Sequence, residues 1–149
     1  MKIAFDLDDT LIPTTRKFSV GSKTVSFPYS LIFKEEIRVG AVGLLQQLAN
    51  VHEIWVYTTS LRSSTYVRCW FNSFGVKLFG FINAQTHAEK VRGTQYSRLS
   101  KAPKLFGIDV LVDDSPGVLI ECQQQGSHCI LVRPDDNNWL STIMTELQL

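Results

Sequence analysis

Residues 2–10 read KIAFDLDDT: a four-residue apolar run opening on Lys2, then Asp6, Asp8 and Asp9 within four positions, then Thr10. A run this short and this apolar suits a strand covered on both faces. Three carboxylates so close together repel one another unless a cation or a proton compensates them. Residues two apart lie on the same side of an extended chain, so Asp6 and Asp8 are expected to point together while Asp9 points elsewhere.

The same pattern recurs. EIWVYT (53–58) runs into TTS (58–60), DVLV (109–112) runs into DDSP (113–116), and CILV (129–132) is a fourth apolar run. Helical patterns lie between the runs. In GAVGLLQQLAN (40–50), Ala41, Leu44, Leu45 and Leu48 recur at helical spacing; in SSTYVRCWFNSFG (63–75), Tyr66, Val67, Trp70 and Phe74 do so, with Gly75 as a stop. PGVLIECQQQG (116–126) carries Pro116 in its first turn and Gly126 after its end, and NNWLSTIMTELQL closes the chain. Strands alternating with helices predict an α/β fold, a Rossmann-like three-layer sandwich around a parallel sheet. One segment breaks the rhythm: TTRKFSVGSKTVSFPYS (14–30), in which VGSKTV can turn, is read as a β-hairpin flap after the first strand. With 149 residues and neither repeat nor linker, a single domain over 1–149 is expected.

In such sheets ligands bind beyond the carboxyl ends of the strands, where DLDDT, TTS and DDSP converge. Asp6 and Asp8 from one strand end, with Asp113 and Asp114 from another, make a hard oxygen-rich site suited to Mg²⁺, and a phosphate ester completes its coordination shell. Hydroxyls of Thr58, Thr59 or Ser60 can bond the phosphate, and Lys101 or Lys104 can offset the remaining negative charge. One carboxylate can attack phosphorus while the other exchanges a proton with the leaving group.

These residues resemble the haloacid dehalogenase (HAD) superfamily, whose signature is an apolar strand followed by DxDxT. IAFDLDDTL (3–11) fits that motif, IWVYT (54–58) the second, and VLVDD (110–114) the fourth; the third is a lone lysine. The motifs stand in the family's order over most of the chain. The resemblance implies that Asp6 is the nucleophile forming an aspartyl-phosphate and that Asp8 is the general acid and base. It implies Mg²⁺ on Asp6, the Asp8 carbonyl and Asp113, with Asp114 nearby. Thr58 and Lys101 are implied to bind and neutralise the phosphoryl group; Thr10 and Thr59, at the same strand ends, are further candidate substrate contacts. KAPKLFGIDVLVDDSPGV (101–118) looks like a pattern of small members in which the functional lysine comes first, hence Lys101 over Lys104. Dehalogenases lack the second Asp of DxD, so Asp8 favours phosphoryl transfer. Neither gap between motifs holds a cap domain, as in the capless members, whose phosphorylated substrates range from small molecules to macromolecules.

Other readings are weaker. A calcium loop counted from Asp6 needs Gly at its sixth place and Glu at its twelfth, where Leu11 and Lys17 stand. A receiver domain carries its acidic pair on the first strand but its accepting Asp on a central one, where this chain has Thr58. Arg62 is read as a surface helix arginine and Ser60 as a helix cap. His52, His87 and His128 occupy no metal-ligand spacing, and Asp135 and Asp136 are explained by turn chemistry. The net charge of +1 gives no argument for nucleic acid and does not exclude it. No apolar stretch approaches the roughly 20 residues of a membrane helix. Met1 leads straight into the first strand without a signal layout, and scattered Cys69, Cys122 and Cys129 suit reduced thiols, so cytoplasm is the expected compartment. A phosphotransferase using the same residues and a weakly catalytic binding module are the alternatives to a phosphatase.

Overall fold

The computed structural model describes residues 1–21 and 32–148. Five parallel strands, β1 (Lys2–Phe5), β2 (Glu53–Tyr57), β3 (Gly80–Ile82), β4 (Val110–Asp113) and β5 (His128–Leu131), form one sheet in the order β3-β2-β1-β4-β5. KIAF is the middle strand, paired with β2 from Lys2 to Phe5 and with β4 from Ile3 to Phe5. That position explains its composition: a strand with neighbours on both edges and layers on both faces has no polar surface to present.

The pleat sorts side chains between two cores. Ile3, Phe5, Ile54, Val56, Val110 and Val112 face one side, where α1 (Ala41–Ala49), α2 (Ser64–Ser73) and α5 (Trp139–Glu146) supply Leu44, Leu45, Leu48, Trp70, Phe71, Trp139 and Ile143. Ala4, Tyr57 and Leu111 face the other, against Val118 and Cys122 of α4 (Pro116–Gln125) and Ile108. On that side α3 (Ala84–Val91) reaches Tyr57 through His87. This is the expected three-layer α/β sandwich, and the described residues include no cap. Each apolar side chain taken fully out of water contributes about 1.5–3 kcal/mol.

Helix ends follow their sequence signals. Ser63, Asn83 and Ser115 accept the N–H groups of Tyr66, Thr86 and Val118 as N-caps, Pro116 opens α4, and Gly126 ends it at φ 68°. Ser63, rather than Ser60, caps α2. The predicted β-hairpin flap (14–30) falls outside the described residues from position 22 onward. At its base Gly21 donates to the Ile37 carbonyl and Val39 to that of Ser19, so the chain leaves and returns as an antiparallel pair. No helix among the described residues is long and apolar enough to cross a membrane.

The chain winds from β1 outward to β3, then crosses back to place β4 on the other side of β1. The strand order therefore reverses between β1 and β4, and a crevice for a ligand opens beyond their carboxyl ends.

Candidate active site

Asp6 follows β1 and Asp113 ends β4, at that reversal. Both are buried, and between them stands an equally buried Lys101, whose Nζ donates to Asp6 Oδ1 at 2.6 Å and to Asp113 Oδ2 at 2.5 Å. Thr10 joins the group: its hydroxyl lies 3.1 Å from Asp114 Oδ1 and 3.4 Å from Asp6 Oδ2. The other oxygen of Asp113 accepts the Ser115 N–H at 2.9 Å. Lys104 is exposed and reaches the Gln125 carbonyl instead.

Lys101 is fixed through its backbone as well as its ammonium. Its N–H and that of Ser100 donate to the Glu121 carboxylate, and its carbonyl accepts Gln125 Nε2 at 3.0 Å. Next to it, the Ala102 N–H donates to the Tyr57 hydroxyl at 2.8 Å. That hydroxyl pairs with Nδ1 of His87, whose Nε2 lies 2.9 Å from the Leu99 carbonyl. A carbonyl only accepts, so Nε2 carries the proton, and in the neutral imidazole Nδ1 accepts a hydrogen bond from the Tyr57 hydroxyl. His87 is thus a structural tie between α3 and the lysine segment.

The electrostatics follow from burial. The Asp6 carboxyl is pushed up to about 7: burial is the largest cause, Asp113 and Asp114 add to it, and the Lys101 ammonium works against it. Burial pulls the Lys101 ammonium down, but Asp6 and Asp113 outweigh it and hold the pKa above the usual lysine value. Asp114 is raised by burial and by Asp113. One ammonium among three carboxylates leaves the cluster short of positive charge. The donors are hard carboxylate oxygens, so the residues fit a divalent cation such as Mg²⁺. Among the described residues no three acidic, histidine or cysteine side chains form a ready-made cage.

Asp8 belongs to a second group. The turn after β1 is closed by the Thr10, Leu11 and Ile12 N–H groups on the Leu7 carbonyl and by the Asp9 N–H on that of Ile12. The Asp8 carbonyl accepts none of these bonds among the described residues. The Asp8 carboxylate receives Arg62 Nη1 at 2.8 and 3.0 Å and the Thr14 hydroxyl at 2.6 Å. Arg62 also contacts Glu35 at 3.5 Å and Ser60 Oγ at 3.2 Å. Thr58 is fully buried, its hydroxyl bonded to the N–H and side chain of Ser60. Thr59 is exposed, and its hydroxyl makes no hydrogen bond among the described residues. Asp9 points away, as expected: it has φ 60°, and its carboxylate accepts the N–H groups of Thr14, Thr15 and Arg16 and the Thr15 hydroxyl, which lowers its pKa against the opposing effect of burial.

Asp6, Lys101, Asp113, Thr10 and Asp114 are therefore linked directly. Asp8, Arg62, Ser60 and Thr58 form the neighbouring group. Arg62 corrects the surface reading: it pairs with Asp8, and in sequence only its place four residues after Thr58 hinted at this. Arg38 carries no functional signal in the sequence. It is 2% exposed, lies 4.7 Å from the rings of Phe18 and Trp139, and donates to the carbonyls of Arg133 and Asp136 at 2.8 Å.

No family model and no curated protein matches the chain. Among solved structures it is similar to a predicted HAD-like family hydrolase from Porphyromonas gingivalis, with a TM-score of 0.56 and 12% identity over 99% of this chain and 98% of that one. It is also similar to a HAD-superfamily hydrolase, subfamily IA, variant 1, from Geobacter sulfurreducens PCA, with a TM-score of 0.54 and 13% identity over 87% of this chain and 88% of that one. The chain has the HAD-like hydrolase fold.

Proposed function

We propose that the protein is a Mg²⁺-dependent hydrolase of phosphomonoesters that works through an aspartyl-phosphate on Asp6. The observation that carries this reading is the Asp6–Lys101–Asp113 arrangement at the reversal of strand order. The HAD-like hydrolase fold supports hydrolysis, and the residues at the strand ends support phosphorus as the centre attacked.

Lys101 holds Asp6 Oδ1, which leaves Oδ2, only 3.4 Å from the Thr10 hydroxyl, as the freer oxygen to attack. The bond from Oδ2 to phosphorus forms as the bond to the leaving oxygen breaks, and Asp8 gives that oxygen its proton. Asp8 then takes a proton from water as the water oxygen bonds phosphorus and the bond to Asp6 breaks, releasing phosphate. Arg62 and Thr14 orient the Asp8 carboxylate for both transfers. Thr58, Thr59 and Thr10 contact the phosphoryl oxygens, and Lys101 balances charge as it develops. Asp6, Asp113 and the Asp8 carbonyl would hold Mg²⁺, with Asp114 nearby; when bound it supplies positive charge to the phosphoryl oxygens.

The test is phosphate release from a panel of phosphomonoesters, with Mg²⁺ and with a chelator, by wild type and Asp6→Asn. Metal-dependent release that falls by about 10³-fold or more in the variant is expected. Release unchanged in Asp6→Asn overturns the assignment.

A further inference from the structure

A cavity of about 670 Å³ opens beside the carboxylate cluster, and among its lining residues are Arg16, Lys17, Arg133, Asp114, Ser115 and Asp135. Its inner wall includes Asp114, whose Oδ1 takes the Thr10 hydroxyl that also reaches Asp6. A single hydroxyl thus separates the cavity wall from the attacking carboxylate.

Three cations meet here from two segments, and Arg16 and Arg133 are held through their backbones. The N–H of Arg16 is held by the Asp9 carboxylate at 2.8 Å. The buried Arg38 guanidinium ties the segment of Phe18 to the loop after β5 by stacking on Phe18 and donating to the Arg133 carbonyl. Arg62 and Lys101 have carboxylate partners, whereas among the described residues Arg16, Lys17 and Arg133 have none. Two carboxylates stand against them, and one of these, Asp114, is engaged by Thr10. Three cations against two carboxylates leave the balance positive.

Unpaired arginines on a concave wall match a phosphate or carboxylate, which guanidinium groups bind by paired hydrogen bonds. A volume of this order is that of a small-molecule site. We infer that the substrate is a small phosphomonoester whose leaving group carries a second anionic group, phosphate or carboxylate, bound in this cavity by Arg16, Lys17 and Arg133. The inference rests on the phosphohydrolase reading for the reaction and on the cavity alone for the second anion.

Three esters differing at one end test it: propyl phosphate, 3-phosphonooxypropanoate and propane-1,3-diol bisphosphate. Wild type is expected to favour the two doubly anionic esters by about tenfold or more in kcat/KM, chiefly through KM. Arg133→Ser, which keeps the main-chain carbonyl that Arg38 holds, and Lys17→Ser, on an exposed position of the other segment, should each cut that preference by about fivefold. Equal kcat/KM for all three esters, or a preference unchanged in both variants, overturns the inference. If wild type hydrolyses none of them, the reaction proposed above fails separately. Calorimetry with wild type then decides the cavity: tighter binding of propane-1,3-diol bisphosphate than of propyl phosphate, weakened in the two variants, supports it, and equal binding overturns it.

Discussion

Asp9 and Asp6 stand three positions apart and do opposite things. Asp6 is buried against Lys101 with one oxygen nearly free, whereas Asp9 spends both oxygens on the turn that follows β1. Four donors converge on Asp9, and water can replace part of what they lose because Thr14, Thr15 and Arg16 are exposed. Asp9→Ala is therefore expected to cost about 2 kcal/mol, read as a lower urea midpoint at unchanged slope; a midpoint equal to wild type contradicts the role. The DxD spacing and the apolar runs brought Asp6, Asp8 and Asp113 forward as candidates, whereas the residues alone left Lys101 and Lys104 open and only the resemblance of KAPKLFGIDVLVDDSPGV to small family members favoured Lys101. Arg62 and Arg38 were not legible, because their partners come from distant segments: Asp8 lies 54 positions from Arg62, and the Arg133 carbonyl 95 from Arg38. Tyr57 carried a faint signal, since a buried tyrosine hydroxyl requires a partner, here His87 and the Ala102 N–H.

Among the elements, four strands and four helices were readable from apolar runs, helical spacing and end signals. β3 and α3 were not. β3 is three residues long, opens on a glycine, and offers too few positions for a period to show. α3 buries only Val91 and so lacks a clear apolar stripe. The Gly80 that hides β3 is also what lets it dock: it sits in register with Trp55, and a Cβ there would lie 1.9 Å from the indole ring. Gly80→Ala must displace Trp55 or the strand, and a loss of about 1–3 kcal/mol is expected in thermal or urea unfolding. Wild-type stability in that variant contradicts the packing described.

Across the whole molecule, the fold brings together what the sequence keeps apart. Helices on two faces shield the sheet, the reversal between β1 and β4 opens the crevice, and acids from two strand ends meet one lysine there. Arg38 joins the segment after β1 to the loop after β5, so both sides of the crevice are tied to one buried guanidinium. The excess of carboxylates over cations is one that a divalent cation, as in the proposed function, would offset. In the proposed reaction the phosphoryl group passes through Asp6, and the direct measurement is to find it there. Wild type is quenched in acid during turnover of a radiolabelled phosphomonoester with Mg²⁺, treated with borohydride, and digested. The label is expected on protein before reduction, and afterwards the peptide spanning residue 6 carries the alcohol that borohydride makes from an acyl phosphate. Steady release of phosphate with no label on the protein and residue 6 unreduced would contradict it.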